Sequence, residues 1–370
     1  KNMEKKKVVE KSEEGMKRRD FIKLGLAGAA AAGVAAAPRV ARAQKKPVIT
    51  WIGQSSLPPA MPVSVGLQDL ADRIKAASGG RIDWKVKPAG SVVPGTKEWQ
   101  GIDKGVLDFC AGGGSYMVPD VPFGSIVAQR VGSQMSPFAA YMWLEVEGRP
   151  LINKWYEKLG HKFINIGVLQ GLPEGWIHLD KPLKGPEDLK GLKMRAAGDG
   201  GVVLSRLGVG TVFMPLGEVF ENFKRGIIDA YECSCPAFDW DMKLYEVGKR
   251  YYLSPTRAPW EIYEILVRKD KWEKLSEEDK TIILNCIKGA EMAYHARLLA
   301  KNEQAVKGFR EKGVIVEKLP ESIDKVFVAE ANKYLDEVAA KHESMKEVLA
   351  SQRKWEAMWK ELYGLPGIGK

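Results

Sequence analysis

Residues 189–201 are LKGLKMRAAGDGG, and this stretch decides the fold. Residues 192–195 predict a β-strand, and the glycine-rich turn at 198–201 predicts the start of a helix that ends near Gly208. A strand that leads through a turn into a helix is part of a β–α–β unit, in which crossover helices join parallel strands. The stretch therefore predicts an α/β fold.

The same alternation of strands and helices continues on both sides of this stretch. Downstream, the pattern predicts strand 211–214, helix 216–225 and strand 227–231. Upstream, it predicts strands 48–52, 82–86, 106–110 and 161–169 and helices 63–77, 96–104 and 137–159. Domains of ~150 residues are common, and about 327 residues remain after the leader, so we expect two domains, which we call lobes. Lobe 1 would contain residues 47–167, lobe 2 residues 168–261, and each would include part of 262–370.

The C-terminal third predicts a crossing segment followed by long helices. Residues 251–267 alternate polar and apolar side chains over a stretch long enough to run from one lobe to the other. Ser276 and Asp279 resemble a capping box that begins a helix at 276–312, and a helical region at 322–362 follows strand 314–319. Helices of this length exceed the usual ~11 residues, so we expect them to brace both lobes or to form a homodimer.

Residues 1–43 predict an export signal. Arg18 and Arg19 precede a weakly apolar run at 24–37, and small residues at 41–43 have the spacing that a signal peptidase recognises. The arginine pair with Phe21 and Lys23 resembles a twin-arginine signal, which predicts a periplasmic protein. An uncleaved anchor is the alternative, but a membrane span needs about 18 apolar residues.

Charge and cysteine content narrow the function classes. The leader holds eleven Lys and Arg against five Asp and Glu, so the net charge of +10 falls to +4 without it. Charges of both signs are mixed along the rest of the chain, which argues against a nucleic-acid partner. Four cysteines without a dense, regular spacing do not predict a disulfide framework. A soft-metal site at Cys233 and Cys235 lacks further ligands nearby.

Five short motifs resemble, in order and spacing, the DctP-like substrate-binding proteins of tripartite ATP-independent periplasmic (TRAP) transporters. They are residues 78–82 (SGGRI), 88–94 (PAGSVVP), 105–108 (GVLD), 189–195 (LKGLKMR) and 226–230 (GIIDA). The motif at 88–94 and the segment at 229–232 are most similar to the branch that binds 2-oxo acids and related carboxylates. The resemblance implies a two-lobed fold of the periplasmic binding protein type II kind, with an interlobe cleft, and no enzymatic activity.

Arg195 is the residue that we expect to bind the ligand. A guanidinium at the carboxyl end of a strand, beside a glycine-rich turn, presents a planar fork to a carboxylate. In the family that the chain resembles, the corresponding arginine contacts the ligand carboxylate. We therefore expect Arg195 to be unpaired in the free protein, and Arg195→Ala to abolish binding with little change in melting temperature. An ion pair with a surface acid is the alternative.

Other side chains are expected around Arg195. Tyr116 follows a run of three glycines and could donate its hydroxyl to a carboxylate, and Trp176 and Trp260 could exclude water from the cleft. For each tryptophan, packing in the core is the alternative.

The family resemblance also implies that Glu232 could hold a sodium or calcium ion that bridges to the ligand, although no cofactor is required. Carboxylate, carbonyl and amide oxygens suit such hard cations, so Cys233, through its backbone oxygen, and Gln170 could complete the site. The amide near Trp176 is out of the usual register, and an ordinary buried glutamate is the alternative.

The sequence thus predicts an extracytoplasmic receptor that captures a small 2-oxo or 2-hydroxy acid and delivers it to a TRAP permease. An exported enzyme and a ligand sensor that docks on a membrane receptor are the alternatives. Against the enzyme, the sequence contains no nucleophile elbow, no zinc-protease helix motif and no haem or iron–sulfur cysteine spacing.

Overall fold

Two mixed β-sheets, with helices packed around them, organise the chain. The computed structural model describes residues 48–214 and 216–363, so the predicted export signal at 1–43 lies outside the described residues. The strands are β1 (Ile49–Ser55), β2 (Ile82–Lys87), β3 (Phe109–Gly113), β4 (Phe163–Gly171), β5 (Gly175–Leu179), β6 (Lys193–Arg195), β7 (Gly210–Val212), β8 (Ala230–Tyr231), β9 (Arg250–Leu253), β10 (Glu261–Arg268) and β11 (Ile315–Lys318).

The helices confirm most of the predicted positions. They are α1 (Pro62–Ala77), α2 (Glu98–Asp103), α3 (Gly124–Gln129), α4 (Pro137–Trp143), α5 (Arg149–Lys158), α6 (Gly198–Arg206), α7 (Leu216–Lys224), α8 (Pro236–Asp241), α9 (Lys269–Glu273), α10 (Glu277–Glu311), α11 (Glu321–Ala339) and α12 (Glu343–Tyr363). The predicted helix at 137–159 corresponds to α4 and α5, with a π-helical turn at Leu144–Gly148 between them. Within the residues that the structure describes, no helix is both long and apolar enough to cross a bilayer.

The sheets are mixed rather than wholly parallel, which corrects the expectation from the β–α–β pattern. In the first sheet, of order β2-β1-β3-β10-β4, strand β10 is antiparallel to both of its neighbours. In the second, of order β11-β9-β5-β8-β6-β7, strand β5 is antiparallel to β8 and β9. The physical reason is that the chain passes between the sheets without a crossover helix, so the strand after each passage need not run parallel to its neighbours.

Two short segments connect the sheets, and they touch. Residues 172–174 join β4 to β5, and residues 254–260 join β9 to β10, so the predicted extended stretch at 251–267 is two strands in different sheets. The backbone N–H of Glu174 donates to the carbonyl oxygen of Ala258 at 3.1 Å, which ties one crossing segment to the other.

The long C-terminal helices pack on their own chain. The Ser276 hydroxyl accepts the backbone N–H of Asp279 at 3.1 Å at the start of α10. The helical region predicted at 322–362 is divided into α11 and α12 at residues 340–342. Arg206 of α6 pairs with Glu337 of α11 at 2.7 Å, and Trp143 of α4 donates to Ser351 of α12 at 2.8 Å. α11 and α12 therefore pack against α6 and α4 of the same chain, and the bracing of both lobes and the homodimer stay predictions.

Candidate functional site

A cavity of about 250 Å³ lies beside the crossing segments, between the two sheets. Tyr116 reaches it from the turn after β3, and Glu261 reaches it from the first position of β10. Arg195, at the end of β6, and Glu232, directly after β8, line it from the second sheet. Ligand cavities for drug-sized molecules are usually ~300–1,000 Å³, so this one suits a small ligand.

Arg195 lines the cavity but is already ion-paired. Its Nη1 lies 2.9 Å from Oε1 of Glu232 and 2.8 Å from the Glu232 carbonyl oxygen, and its Nε donates to the Met214 carbonyl oxygen at 3.2 Å. The reason is strand register: β6 and β8 are parallel neighbours with Arg195 opposite Tyr231, so the next residue comes alongside the guanidinium. The expectation of an unpaired arginine is therefore wrong.

The ion pair leaves one nitrogen of Arg195 for a ligand. Guanidinium carries five N–H groups, and the bonds to Glu232 and Met214 use those on Nε and Nη1. Nη2 makes no hydrogen bond to any described residue. Its two N–H groups are the donors that a bound anion would use.

Glu232 is almost saturated with donors. Oε1 accepts both Arg195 and the backbone N–H of Ala197 at 2.8 Å, and Oε2 lies 3.1 Å from Nη1 of Arg257. A carboxylate has about four lone-pair sites, and three are occupied here. Glu232 therefore holds the two arginines in place.

Arg257 and Glu174 extend this arrangement, and neither residue was predicted. Nη2 of Arg257 lies 2.6 Å from Oε2 of Glu174, whose other oxygen accepts the Gln129 amide at 2.8 Å. Burial opposes the charge on Arg257, but Glu232 and Glu174 raise its pKa above the ordinary value. The cleft thus contains an alternating row of charges, Glu174–Arg257–Glu232–Arg195, with equal numbers of each sign.

Glu261 differs from Glu174 and Glu232 because its hydrogen-bond partners are uncharged hydroxyl groups and not arginines. Its Oε1 accepts the Tyr263 hydroxyl at 2.6 Å, and its Oε2 accepts the Ser234 hydroxyl at 3.3 Å. No basic side chain hydrogen-bonds to it among the described residues. Burial and the nearby Glu174 raise the pKa of Glu261 to about 8, so this carboxyl group is mostly neutral at pH 7.

Tyr116 lies on the opposite wall from Arg195 with its hydroxyl available. The side chain is 40% exposed, and within the described parts of the chain its hydroxyl makes no hydrogen bond. A tyrosine hydroxyl keeps its proton at physiological pH, and partial desolvation in the cavity with the charge of Glu261 raises the pKa of Tyr116 further, to about 12. Tyr116 can therefore donate to an anion in the cavity.

Comparison with known proteins identifies the family. The family model for bacterial extracellular solute-binding protein, family 7 (DctP) matches residues 53–342, which is most of the chain. The chain belongs to this family. Its members are substrate-binding receptors, as the sequence motifs predicted.

Individual relatives agree with this assignment. The chain is 27% identical over 324 residues, 86% of both chains, to a Nostoc sp. protein named as a monocarboxylate 2-oxoacid-binding periplasmic protein. A TRAP solute-binding protein from Bordetella bronchiseptica, with copurified calcium and picolinate, has a similar fold at a TM-score of 0.78, 20% identity and coverage of 86% of this chain and 96% of that one. A TRAP solute-binding protein from Colwellia psychrerythraea, with bound calcium and pyruvate, has a similar fold at a TM-score of 0.77. It is 20% identical, and the match covers 86% of this chain and 98% of that one.

Two predicted aromatic residues do not line the cavity of this DctP-family chain. Trp176 is fully buried, donates to the Thr256 hydroxyl at 3.1 Å and packs edge-on against Phe327. Trp260 is also fully buried and donates to the Val127 carbonyl oxygen at 3.2 Å. Both indole N–H groups find acceptors inside the core. The two tryptophans are therefore core residues, which is the alternative given for them, and not part of the cavity wall.

The predicted cation ligands do not fit a cation in the arrangement seen. The Gln170 amide points away from the cavity and donates to the Pro137 carbonyl oxygen at 2.6 Å. The carboxylate of Glu232 is bound by two arginines. Cys233 lines the cavity, and its thiol is free, as are the thiols of Cys110, Cys235 and Cys286. In the described ranges, no three His, Cys, Asp or Glu side chains are grouped closely enough to hold a metal ion by themselves.

Proposed function

We propose that this protein is an extracytoplasmic solute receptor that captures a small 2-oxo or 2-hydroxy carboxylate and delivers it to a TRAP permease. The observation that carries the proposal is that one small cavity is lined by two residues with unused donors, Arg195 from the second sheet, with its Nη2, and Tyr116 from the first sheet, with its hydroxyl. A planar carboxylate between them would accept charge-assisted hydrogen bonds from one wall and a neutral one from the other.

Capture would close the cleft. The donors come from different sheets, so a ligand that contacts both stabilises the arrangement in which the walls are close. The Glu174–Arg257 pair joins the two crossing segments and would remain intact while the lobes move about it. The lobes at 47–167 and 168–261, each completed by part of 262–370, are in this proposal the moving bodies.

The test is calorimetric titration of the purified protein with small acids: pyruvate, lactate, 2-oxobutyrate and succinate. Methyl pyruvate is the matched control, because it has nearly the same shape and keto group but no charge. We expect the 2-oxo and 2-hydroxy monocarboxylates to bind and to be recovered chemically unchanged. Equal affinity for methyl pyruvate, or no binding of any acid, would reject the proposal.

The same titrations decide whether a cation takes part. The Bordetella and Colwellia proteins hold calcium with their ligands, so a cation that bridges ligand and protein here is the finer form of this proposal. Titrations with added calcium or sodium are compared with titrations in EDTA and a sodium-free buffer. Affinity that depends on the cation would support the bridge.

The periplasmic location is part of the proposal. It is supported by the family, whose name is that of extracellular solute-binding proteins, and by the twin-arginine pattern in the leader. Cell fractionation of the full chain tests it: the protein should move to the periplasm, and replacing Arg18 and Arg19 together by lysine should retain it in the cytoplasm. Export that is unaffected by this change would exclude the twin-arginine route.

A further inference from the structure

We propose that Glu261 binds the ligand as a neutral carboxyl group that donates a hydrogen bond to a ligand oxygen, so that this receptor binds its anion together with a proton. The inference rests on the proposed function, because it concerns the same cavity. It gives a role to the one cavity glutamate whose hydrogen-bond partners are all uncharged.

The balance of charges in the cavity is the first argument. Arg195 and Arg257 are matched by Glu232 and Glu174, so these four side chains have no net charge. A bound carboxylate beside an ionised Glu261 would place two uncompensated negative charges in a small cleft, and such pairs are strongly unfavourable away from water. A proton on Glu261, taken from the solvent, removes one of them.

The geometry of Glu261 is the second argument. The Tyr263 hydroxyl holds Oε1 firmly at 2.6 Å, whereas the Ser234 hydroxyl approaches Oε2 only to 3.3 Å. Both neighbours line the cavity with Glu261, and the longer contact leaves Oε2 as the less firmly held oxygen, to which we assign the proton. A buried carboxylic acid that stays neutral near pH 7 is an effective hydrogen-bond donor to an anionic oxygen.

The surroundings of Glu261 favour the protonated form. The ionisable groups that act most strongly on it are acids, phenols and a thiol: Glu174, Tyr116, Cys235, Asp239, Tyr263 and Tyr294. Arg195 and Arg257 line the same cavity, but their ion pairs are with Glu232 and Glu174. Burial and Glu174 raise the pKa of Glu261 to about 8. Burial raises the pKa of Glu174 as well, and Arg257 opposes that shift.

The experiment is titration of the tightest-binding acid from the panel between pH 6.5 and 9, in EDTA and sodium-free buffers. We expect a constant Kd up to about pH 7 and binding about tenfold weaker at pH 9 than at pH 7, because a group with a pKa near 8 must then be reprotonated. Calorimetry in buffers of different ionisation enthalpy should show proton uptake that rises from near zero at pH 7 toward one at pH 9. A Kd that does not change with pH overturns the inference.

Variants identify the group that takes the proton. Glu261→Gln keeps a neutral donor, so its Kd should be the same at pH 7 and pH 9 and proton uptake should vanish. Glu291→Gln is the matched control, since burial also raises the pKa of Glu291 to about 8 but Glu291 does not line the cavity. Asp199, a cavity acid that accepts the Tyr334 hydroxyl at 2.8 Å, is tested as Asp199→Asn. Loss of the pH dependence in either of these variants instead of in Glu261→Gln overturns the inference.

Two further results separate the inference from the proposed function. Carboxyl ¹³C resonances of the ligand-free protein should include one that titrates near pH 8 and is missing in Glu261→Gln; an ionised Glu261 at pH 7 overturns the inference whatever ligand binds. Binding that requires calcium, or that is tighter for alanine than for pyruvate, also overturns it, because a metal ion or an ammonium group would then balance Glu261. If no acid binds, the proposed function fails and the inference fails with it.

Discussion

The two walls of the cavity differ in charge: one, from the second sheet, carries Arg195 and Glu232, and the other, from the first sheet, carries Tyr116 and Glu261. On the wall from the second sheet, Arg195 and Glu232 form an ion pair with each other before any ligand arrives. On the wall from the first sheet, Tyr116 keeps its proton near neutral pH as any tyrosine does, and Glu261 keeps its proton because burial and the neighbouring Glu174 raise its pKa to about 8. One wall therefore offers charges whose positions are already fixed, and the other offers neutral donors.

This difference explains how the cavity can accept an anion without a free cation. A buried unpaired guanidinium would be costly in the empty receptor, and pairing with Glu232 avoids that cost. The pairing uses Nε and Nη1 only, so the remaining nitrogen can bind a ligand without breaking the pair. Neutral donors on the facing wall add hydrogen bonds without adding repulsion.

The largest effect is expected when the charged wall loses Arg257. Arg257→Ala would leave Glu174 and Glu232 buried with fewer counter-charges, which typically costs about 3–5 kcal/mol of unfolding free energy. Urea unfolding measures this loss. Arg225→Ala, which removes an exposed arginine 3.8 Å from Glu221, is the control and should change the free energy of unfolding by less than about 1 kcal/mol. Equal effects of the two substitutions would mean that the charge row does not stabilise the fold.

A smaller effect is expected for Arg195→Lys, measured on ligand affinity. Lysine retains the positive charge but cannot hold Glu232 and a carboxylate at once in the same geometry. Loss of a charged hydrogen bond costs about 1.5–3 kcal/mol, so Kd should rise roughly ten- to hundredfold. Arg206→Lys, in a surface pair on α6, is the control and should leave Kd unchanged. Unaltered binding by Arg195→Lys would remove Arg195 from the ligand site.

Arg195→Ala should also lower the melting temperature, in contrast to the sequence-based expectation. Arg195 donates hydrogen bonds to Glu232 and to the Met214 carbonyl oxygen. Alanine at this position would leave these buried acceptors without their donors, which destabilises the folded protein. The sequence did contain the signal for this pair, because Arg195 and Glu232 stand at the carboxyl ends of two predicted strands. What it did not contain was the order of strands, which makes β6 and β8 neighbours.

The contact between Arg257 and Glu174 could not be predicted from the sequence, for a different reason. They are 83 residues apart and lie in irregular crossing segments, where no periodicity indicates which side chains face each other. Strand and helix positions, by contrast, follow local hydropathy and turn residues, so α1, α6 and β6 were predicted to within a few residues. Contacts between segments depend on the packing of the whole chain, which a single sequence does not display.

The neutral wall has a consequence for stability as well as for binding. A glutamate whose pKa is higher in the folded than in the unfolded protein takes up a proton on folding, so the free energy of unfolding falls as pH rises from about 4.5 to about 8. The slope that Glu261 contributes is at most about 1.4 kcal/mol per pH unit. Urea unfolding of the ligand-free protein at pH 5.5, 6.5, 7.5 and 8.5 should show a weaker fall for Glu261→Gln than for the native chain. Parallel curves would show that Glu261 titrates normally.

The smallest effect is expected for Tyr116→Phe, which removes one neutral donor and leaves the ring in place. A neutral hydrogen bond contributes about 0.5–1.5 kcal/mol, so Kd should rise roughly two- to tenfold. The melting temperature should not change, because the hydroxyl has no hydrogen-bond partner in the described residues. Tyr141→Phe is the control for Kd, since Tyr141 is also a partly buried tyrosine but lies on α4, away from the cavity, with its hydroxyl bonded to Glu291. A loss as large as that for Arg195→Lys would mean that the neutral wall contributes as much to ligand affinity as the charged wall.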